Sequence, residues 1–264
     1  MKTSQGLALV TGASSGLGAS IARELARRGF DLILTARSAP PMQALKTELT
    51  QQTGATVYVE ALDLAQSGSA AELLKRLNER GLEPSVLVAN AGFGLSEPFI
   101  RHDSDRLRSM LQVNVVSLTE LTHLFGARMA TQGEGDILLV ASLAAYAPSP
   151  NLAAYAASKA YIRRLGEALN IEMASAVHVT VLSPGLMDTG FNAASGYETA
   201  ASMRRFVEPT ASVAKVGLDA LFAREPSVIA GTLNRIVMAI SGFLPMRSIL
   251  KRRWQDAQKG SACH

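Results

Sequence analysis

Short apolar runs alternate with stretches of helical periodicity from the first residues to about residue 231. The runs fall at 7–10, 32–35, 56–59, 86–89, 137–140, 177–182 and 228–230. They are continuous rather than strictly alternating, as expected of strands buried on both faces. Parallel neighbours need crossover connections, and those are usually helices, so seven such runs separated by helical stretches predict an α/β fold with a doubly wound, seven-stranded parallel sheet and helices on both faces. No linker-like or repeated segment interrupts 1–231, which is expected to form one domain, with 232–264 as a helical extension of it.

In such sheets ligands bind beyond the carboxyl ends of the strands. Polar or turn-forming residues follow strand after strand: Thr11-Gly12, Arg37, Asp63, Asn90-Ala91-Gly92, Ser142 and Pro184-Gly185. The first of these opens a glycine-rich turn, Thr11-Gly12-Ala13-Ser14-Ser15-Gly16-Leu17-Gly18, that leads from strand to helix. Without Cβ atoms at Gly12, Gly16 and Gly18 the backbone can present its N–H groups and a helix N-terminus to a pyrophosphate. A dinucleotide site that prefers NAD carries a carboxylate at the end of the second strand; here Ala36 and Arg37 stand there. A guanidinium is suited to a 2′-phosphate, so NADP (as NADPH) is the expected cofactor. Asp63 suits either the adenine amino group or the start of a helix over 64–77.

Tyr155 and Lys159 are four residues apart in a helical stretch, so their side chains share a face. An ammonium beside a phenol is expected to favour the phenolate and turn a poor proton exchanger into a usable acid and base. Ser142, at a strand end thirteen residues earlier, can hydrogen-bond a substrate oxygen or cap a turn. Asn114 is an amide among valines in the helical stretch 106–129; it either completes a proton path near Lys159 or pins its helix to a neighbour.

Composition narrows the function classes without choosing among them. Of the 264 residues 48% are hydrophobic and 18% charged, enough apolar material for a covered sheet. The formal net charge is only +4 and the cations are scattered, so no nucleic-acid surface is implied. One cysteine, Cys263, forms no intramolecular disulfide, which fits the cytoplasm. Residues 137–158 carry no charge, but Pro148, Ser149, Pro150 and Asn151 break the run into a strand and a later helix, so it reads as protein interior. No metal is expected.

Taken together, Thr11 to Gly18, Asn90-Ala91-Gly92, Asn114, Ser142, Tyr155, Lys159 and Pro184-Gly185 resemble the short-chain dehydrogenase/reductase superfamily over about residues 6–231. The resemblance implies a Rossmann-type fold and a catalytic tetrad at Asn114, Ser142, Tyr155 and Lys159. It implies cofactor contacts from Gly12, Ser14, Ser15, Gly16, Leu17, Gly18, Arg37, Asp63, Leu64, Asn90, Ala91, Gly92, Tyr155, Lys159, Pro184, Gly185 and Thr189. Ala89 stands where the family has a further asparagine. A homodimer or homotetramer is implied, with helices around 107–130 and 153–172 packing on their symmetry mates. The activity implied is reduction of a small-molecule ketone or aldehyde with NADPH, with an apolar substrate suggested by Met187, Phe191, Tyr197, Met203 and Phe206. The alternatives are a 3-oxoacyl thioester reductase and a non-catalytic NADP-binding sensor. The extension mixes apolar residues with Arg247, Lys251, Arg252 and Arg253; it either covers the cleft or an oligomer interface, or rests on an anionic membrane surface.

Overall fold

The computed structural model describes residues 4–187 and 207–241. Seven strands, β1 (Leu7–Thr11), β2 (Asp31–Ala36), β3 (Val57–Ala61), β4 (Val86–Ala89), β5 (Gly135–Val140), β6 (Val177–Ser183) and β7 (Ser227–Ile229), form one sheet in the order β3-β2-β1-β4-β5-β6-β7. Every neighbouring pair is parallel. The expected runs locate all seven strands to within two residues at either end.

Side-chain alternation along the strands feeds two separate cores, because successive Cβ atoms point to opposite faces. Ala8, Val10, Leu32, Leu34, Val86, Val88, Leu138 and Val140 face one layer, which contains α1 (Gly16–Arg27), α2 (Ala39–Thr53) and α7 (Thr210–Phe222). Leu9, Ile33, Leu87, Ala89, Ile137 and Leu139 face the other, which contains α3 (Ser69–Glu79), α5 (Leu118–Gln132) and α6 (Ala153–Glu172). α4 (Ser104–Leu111) precedes α5, and α8 (Thr232–Ser241) opens the C-terminal extension. α6 lies close on the sheet at Gly166, where a Cβ would collide with Val181.

Two helices differ from the sequence pattern. The helix expected over 64–77 begins only at Ser69. Asp63 Oδ1 accepts from the Ala65 amide at 3.0 Å, and Gly68 at φ +78° redirects the chain before the helix starts. The stretch 106–129 is not one α-helix. α4 and α5 are joined by a π-helical turn, Gln112–Ser117, that contains Asn114. The uncharged stretch 137–158 divides into β5, a 3-10 turn at Leu143–Tyr146 and the start of α6. No described helix is long and apolar enough to cross a membrane. Thr189, the pocket-facing candidates between 188 and 206, and the basic cluster of the extension lie outside the described residues.

Candidate active site

The strand order reverses at β1, whose neighbours are β2 on one side and β4 on the other, and the crevice this opens carries the site. Thr11, the last residue of β1, fastens the crevice. Its Oγ1 donates to Val88 O at 3.2 Å and accepts from the Asn90 and Ala91 amides at 2.9 Å each. Asn90 returns the bond, its Nδ2 donating to Thr11 O at 2.9 Å. The glycine turn is hung on β2, where the Gly12 amide donates to Thr35 O at 2.8 Å.

Close packing explains the glycines. Gly12 lies at φ +67° and Gly16 at φ +55°. A Cβ on Gly18 would collide with the Gly12 carbonyl and come within 2.7 Å of Asn90 Nδ2. Ser15 precedes α1 without capping it by its hydroxyl, so the first N–H groups of the helix are left for a ligand.

These residues open into a cavity of about 640 Å³ that also holds the other expected groups. Of the expected site residues that the structure describes, all but Asn114 border it, from Arg37 and Asp63 at one end to Tyr155, Ser142 and Gly185 at the other. Its extent, the glycine turn on its border and the exposed Arg37 at the end of β2 fit a dinucleotide cofactor. Sequence patterning did not single out Phe93, Val113, Leu143, Ala144 and Leu152, which also line it. The only signal for them was their nearness to the Asn-Ala-Gly and Ser142 positions. Among the described residues no group of three or more His, Cys, Asp or Glu is placed to hold a metal.

Ser142 does two things at once. Its Oγ accepts from the Ala144 amide at 3.2 Å, capping the 3-10 turn, and it hydrogen-bonds Tyr155. Tyr155 is buried against Leu95 and Met110. Lys159, also buried, sits with Nζ 5.9 Å from the Tyr155 ring centroid and donates to Val140 O at 2.8 Å. The electrostatics differ from the expectation that the ammonium acidifies the phenol. Burial pushes Tyr155 up to about 12, and the bond with Ser142 is what pulls the other way. Burial also pushes Lys159 down to about 8. In a low-dielectric pocket the neutral form of each group is favoured.

Asn114 stands behind the cavity wall. Its Oδ1 accepts from the Phe93 amide at 3.0 Å, and its Nδ2 donates to Phe93 O at 2.9 Å and to Ser158 Oγ at 3.2 Å. The amide is therefore satisfied by the Phe93 backbone and the Ser158 hydroxyl, and it pins the loop after β4 to α6. It also lies near Lys159: a Cβ on Gly92 would be 3.0 Å from Asn114 Oδ1 and 3.4 Å from Lys159 Nζ.

Residues 6–199 match the family model of the short chain dehydrogenases. The chain belongs to the short-chain dehydrogenase family. As a member it is an oxidoreductase, and similar proteins bear this out. An uncharacterised oxidoreductase of Staphylococcus saprophyticus is 31% identical over 69% of this chain and 79% of its own. The short-chain dehydrogenase of Sphingobium yanoikuyae, solved in complex with NADPH, has a TM-score of 0.79 and 29% identity, covering 85% of this chain and 87% of that one. A bulky-bulky ketone specific alcohol dehydrogenase of Comamonas testosteroni has a TM-score of 0.76 and 28% identity, covering 91% and 94%.

Proposed function

We propose that this short-chain dehydrogenase is an NADPH-dependent carbonyl reductase acting on apolar ketones or aldehydes. The observation that carries the reading is the convergence of Ser142, Tyr155 and Lys159 on the cavity that also holds the glycine turn and Arg37. The chemistry that NADPH would supply when bound is a hydride for the carbonyl carbon. Tyr155, protonated at neutral pH, gives its phenolic proton to the substrate oxygen as that oxygen gains charge. Ser142 hydrogen-bonds the same oxygen, and Lys159 holds the ribose hydroxyls. Asn114 supports Lys159 by fixing the loop at Phe93 and the adjoining turn of α6.

Holding the cofactor falls to Gly12, Ser14, Ser15, Gly16, Leu17 and Gly18 at the pyrophosphate and to Arg37 at the 2′-phosphate. Asp63 and Leu64 would hold the adenine, Asn90, Ala91 and Gly92 the ribose side, and Pro184, Gly185 and Thr189 the carboxamide. The NADPH complex of the Sphingobium relative supports the choice of cofactor. The apolar lining from Phe93, Leu143 and Leu152, together with the ketone preference in the Comamonas relative's name, supports an apolar carbonyl substrate. Residues 1–231 form the catalytic unit and 232–264 its extension. The protein works as a cytoplasmic homo-oligomer, and the apolar side chains Leu111, Val116 and Tyr161, exposed on the expected contact helices, support that assembly.

The test is oxidation of NADPH and of NADH, side by side, over a panel of ketones and aldehydes. Faster turnover with NADPH on apolar carbonyls is the expected result. NADPH binding without turnover of any member would favour the sensor reading instead.

A further inference from the structure

Three stretches of chain distant in sequence meet behind the cavity wall formed by residues 184–187. The Glu208 amide donates to Leu186 O at 2.9 Å, and Glu208 forms a parallel bridge with Met187. Its carboxylate turns towards the start of α8, where Oε1 accepts from Asn234 Nδ2 at 3.0 Å. The same Nδ2 donates to Ala230 O at 3.0 Å, and the Ala230 amide donates to Ser183 O at 3.2 Å.

The packing around this pair leaves no slack. Gly231 lies at φ +83°, and a Cβ there would collide with the Glu208 carboxylate. A Cβ on Gly185 would collide with the Asn234 amide, so that amide fills the space behind the cavity wall. The wall in turn carries the neighbouring turn, because Pro184 O accepts from the Leu143 amide at 2.9 Å, next to Ser142. Partial burial raises the Glu208 carboxyl above its ordinary value, in keeping with a carboxylate that has exchanged water for an amide donor.

We propose that Glu208 and Asn234 are positioning residues for the nicotinamide end of the site. Clamped by Glu208, the Asn234 amide backs Gly185 and fixes the wall at 184–187, so the first turn of α8 sets how the nicotinamide half of the cofactor is held. This rests on the reading of the cavity as an NADPH site. Neither residue borders the cavity, so both act through Gly185 and Leu186.

The experiment is titration of the full chain with NADPH and with adenosine 2′,5′-bisphosphate, which reaches only the adenine end, alongside melting temperatures. Asn234→Ala and Glu208→Ala are each expected to weaken NADPH by about tenfold, the size of one lost hydrogen bond to a charged group. The double variant is expected to be no weaker than either single one, because both remove the same clamp. Glu208→Gln keeps an acceptor oxygen and recovers most of the loss. Adenosine 2′,5′-bisphosphate binding stays at the wild-type value throughout.

Equal weakening of both ligands together with a lower melting temperature would mean general loosening and overturn the positioning role. If Asn234→Ala does not fold, the Glu208→Ala and Glu208→Gln pair decides alone. A wild type that binds NADPH, with variants that bind it equally well, removes this inference and leaves the cofactor reading standing. A wild type that binds neither ligand removes both.

Discussion

Lys159 Nζ donates to the carbonyl oxygen of Val140 at 2.8 Å, joining α6 to the last residue of β5. The ammonium is thus held by a backbone dipole at the mouth of the sheet, one helical turn from Tyr155. Its charge is costly there, and that cost has a measurable pH dependence.

Burial lowers Lys159 from 10.5 to about 8, so between these values the unfolded chain carries a proton that the ligand-free folded chain has shed. The penalty is fully present below about pH 8 and is relieved as pH climbs towards 10.5, so this residue makes stability rise with pH in that window. Tyr155 works in the opposite sense, because its phenol is raised from 10.0 to about 12 and stability falls as pH rises through that range. Melting curves of wild type and Lys159→Met, without nucleotide, should show the wild type gaining relative to the variant from pH 8 to 10. A difference independent of pH would refute the assignment.

Tyr155→Phe keeps the ring in its apolar cluster and removes the proton. Turnover of the best carbonyl substrate should fall about 10²- to 10⁴-fold, the range for loss of a general acid. NADPH affinity, measured by nucleotide fluorescence, should stay within about twofold of wild type. A variant that retains most of its turnover would remove Tyr155 from the proposed role.

Arg37 is exposed where it borders the cavity, and residues 36–38 at the end of β2 include no carboxylate. Arg37→Ala should raise KM for NADPH about tenfold or more, the cost of a lost charge-assisted contact, while KM for NADH stays level. Parallel losses with both nucleotides would point to a damaged fold rather than a lost phosphate contact.

Thr11→Val removes one hydroxyl that serves three backbone partners. The Asn90 and Ala91 amides would be left without their acceptor, at a cost of about 1–3 kcal/mol for a buried donor left unsatisfied. Urea denaturation should report that loss, and NADPH binding should weaken with it, because the same clasp holds Asn90 against Gly12. A stability equal to wild type would show that the clasp is replaceable by water.

The strands were legible because buried parallel strands leave continuous apolar runs, and β4 was placed at its observed ends. Tyr155 and Lys159 were legible for a different reason: four residues is one helical turn, and the pair needs no tertiary information to meet. Thr11 reads as a turn residue in the sequence, but its grip on the backbone from Val88 to Ala91 joins residues nearly eighty apart and leaves no local trace. Glu208 and Asn234 are a similar case, on elements with no shared periodicity. The late start of α3 came from Asp63 and Gly68 acting as turn residues inside an otherwise helical pattern. The direction in which Tyr155 and Lys159 shift is not legible this way, because a sequence gives their spacing and not how dry their surroundings are.

The π-helical turn at Gln112–Ser117 holds one residue more than the α-helical geometry on either side of it would need. Deleting one of these residues would let the segment close up as a regular helix, turning the side chains inside it relative to those of the flanking helices. Asn114 would then lose Phe93, and the loop that it holds would be free of α6. The orientation of that amide is therefore written in the chain's length at this point as much as in the identity of the residue, and a deletion here should unseat the loop at Phe93 as replacing the asparagine would.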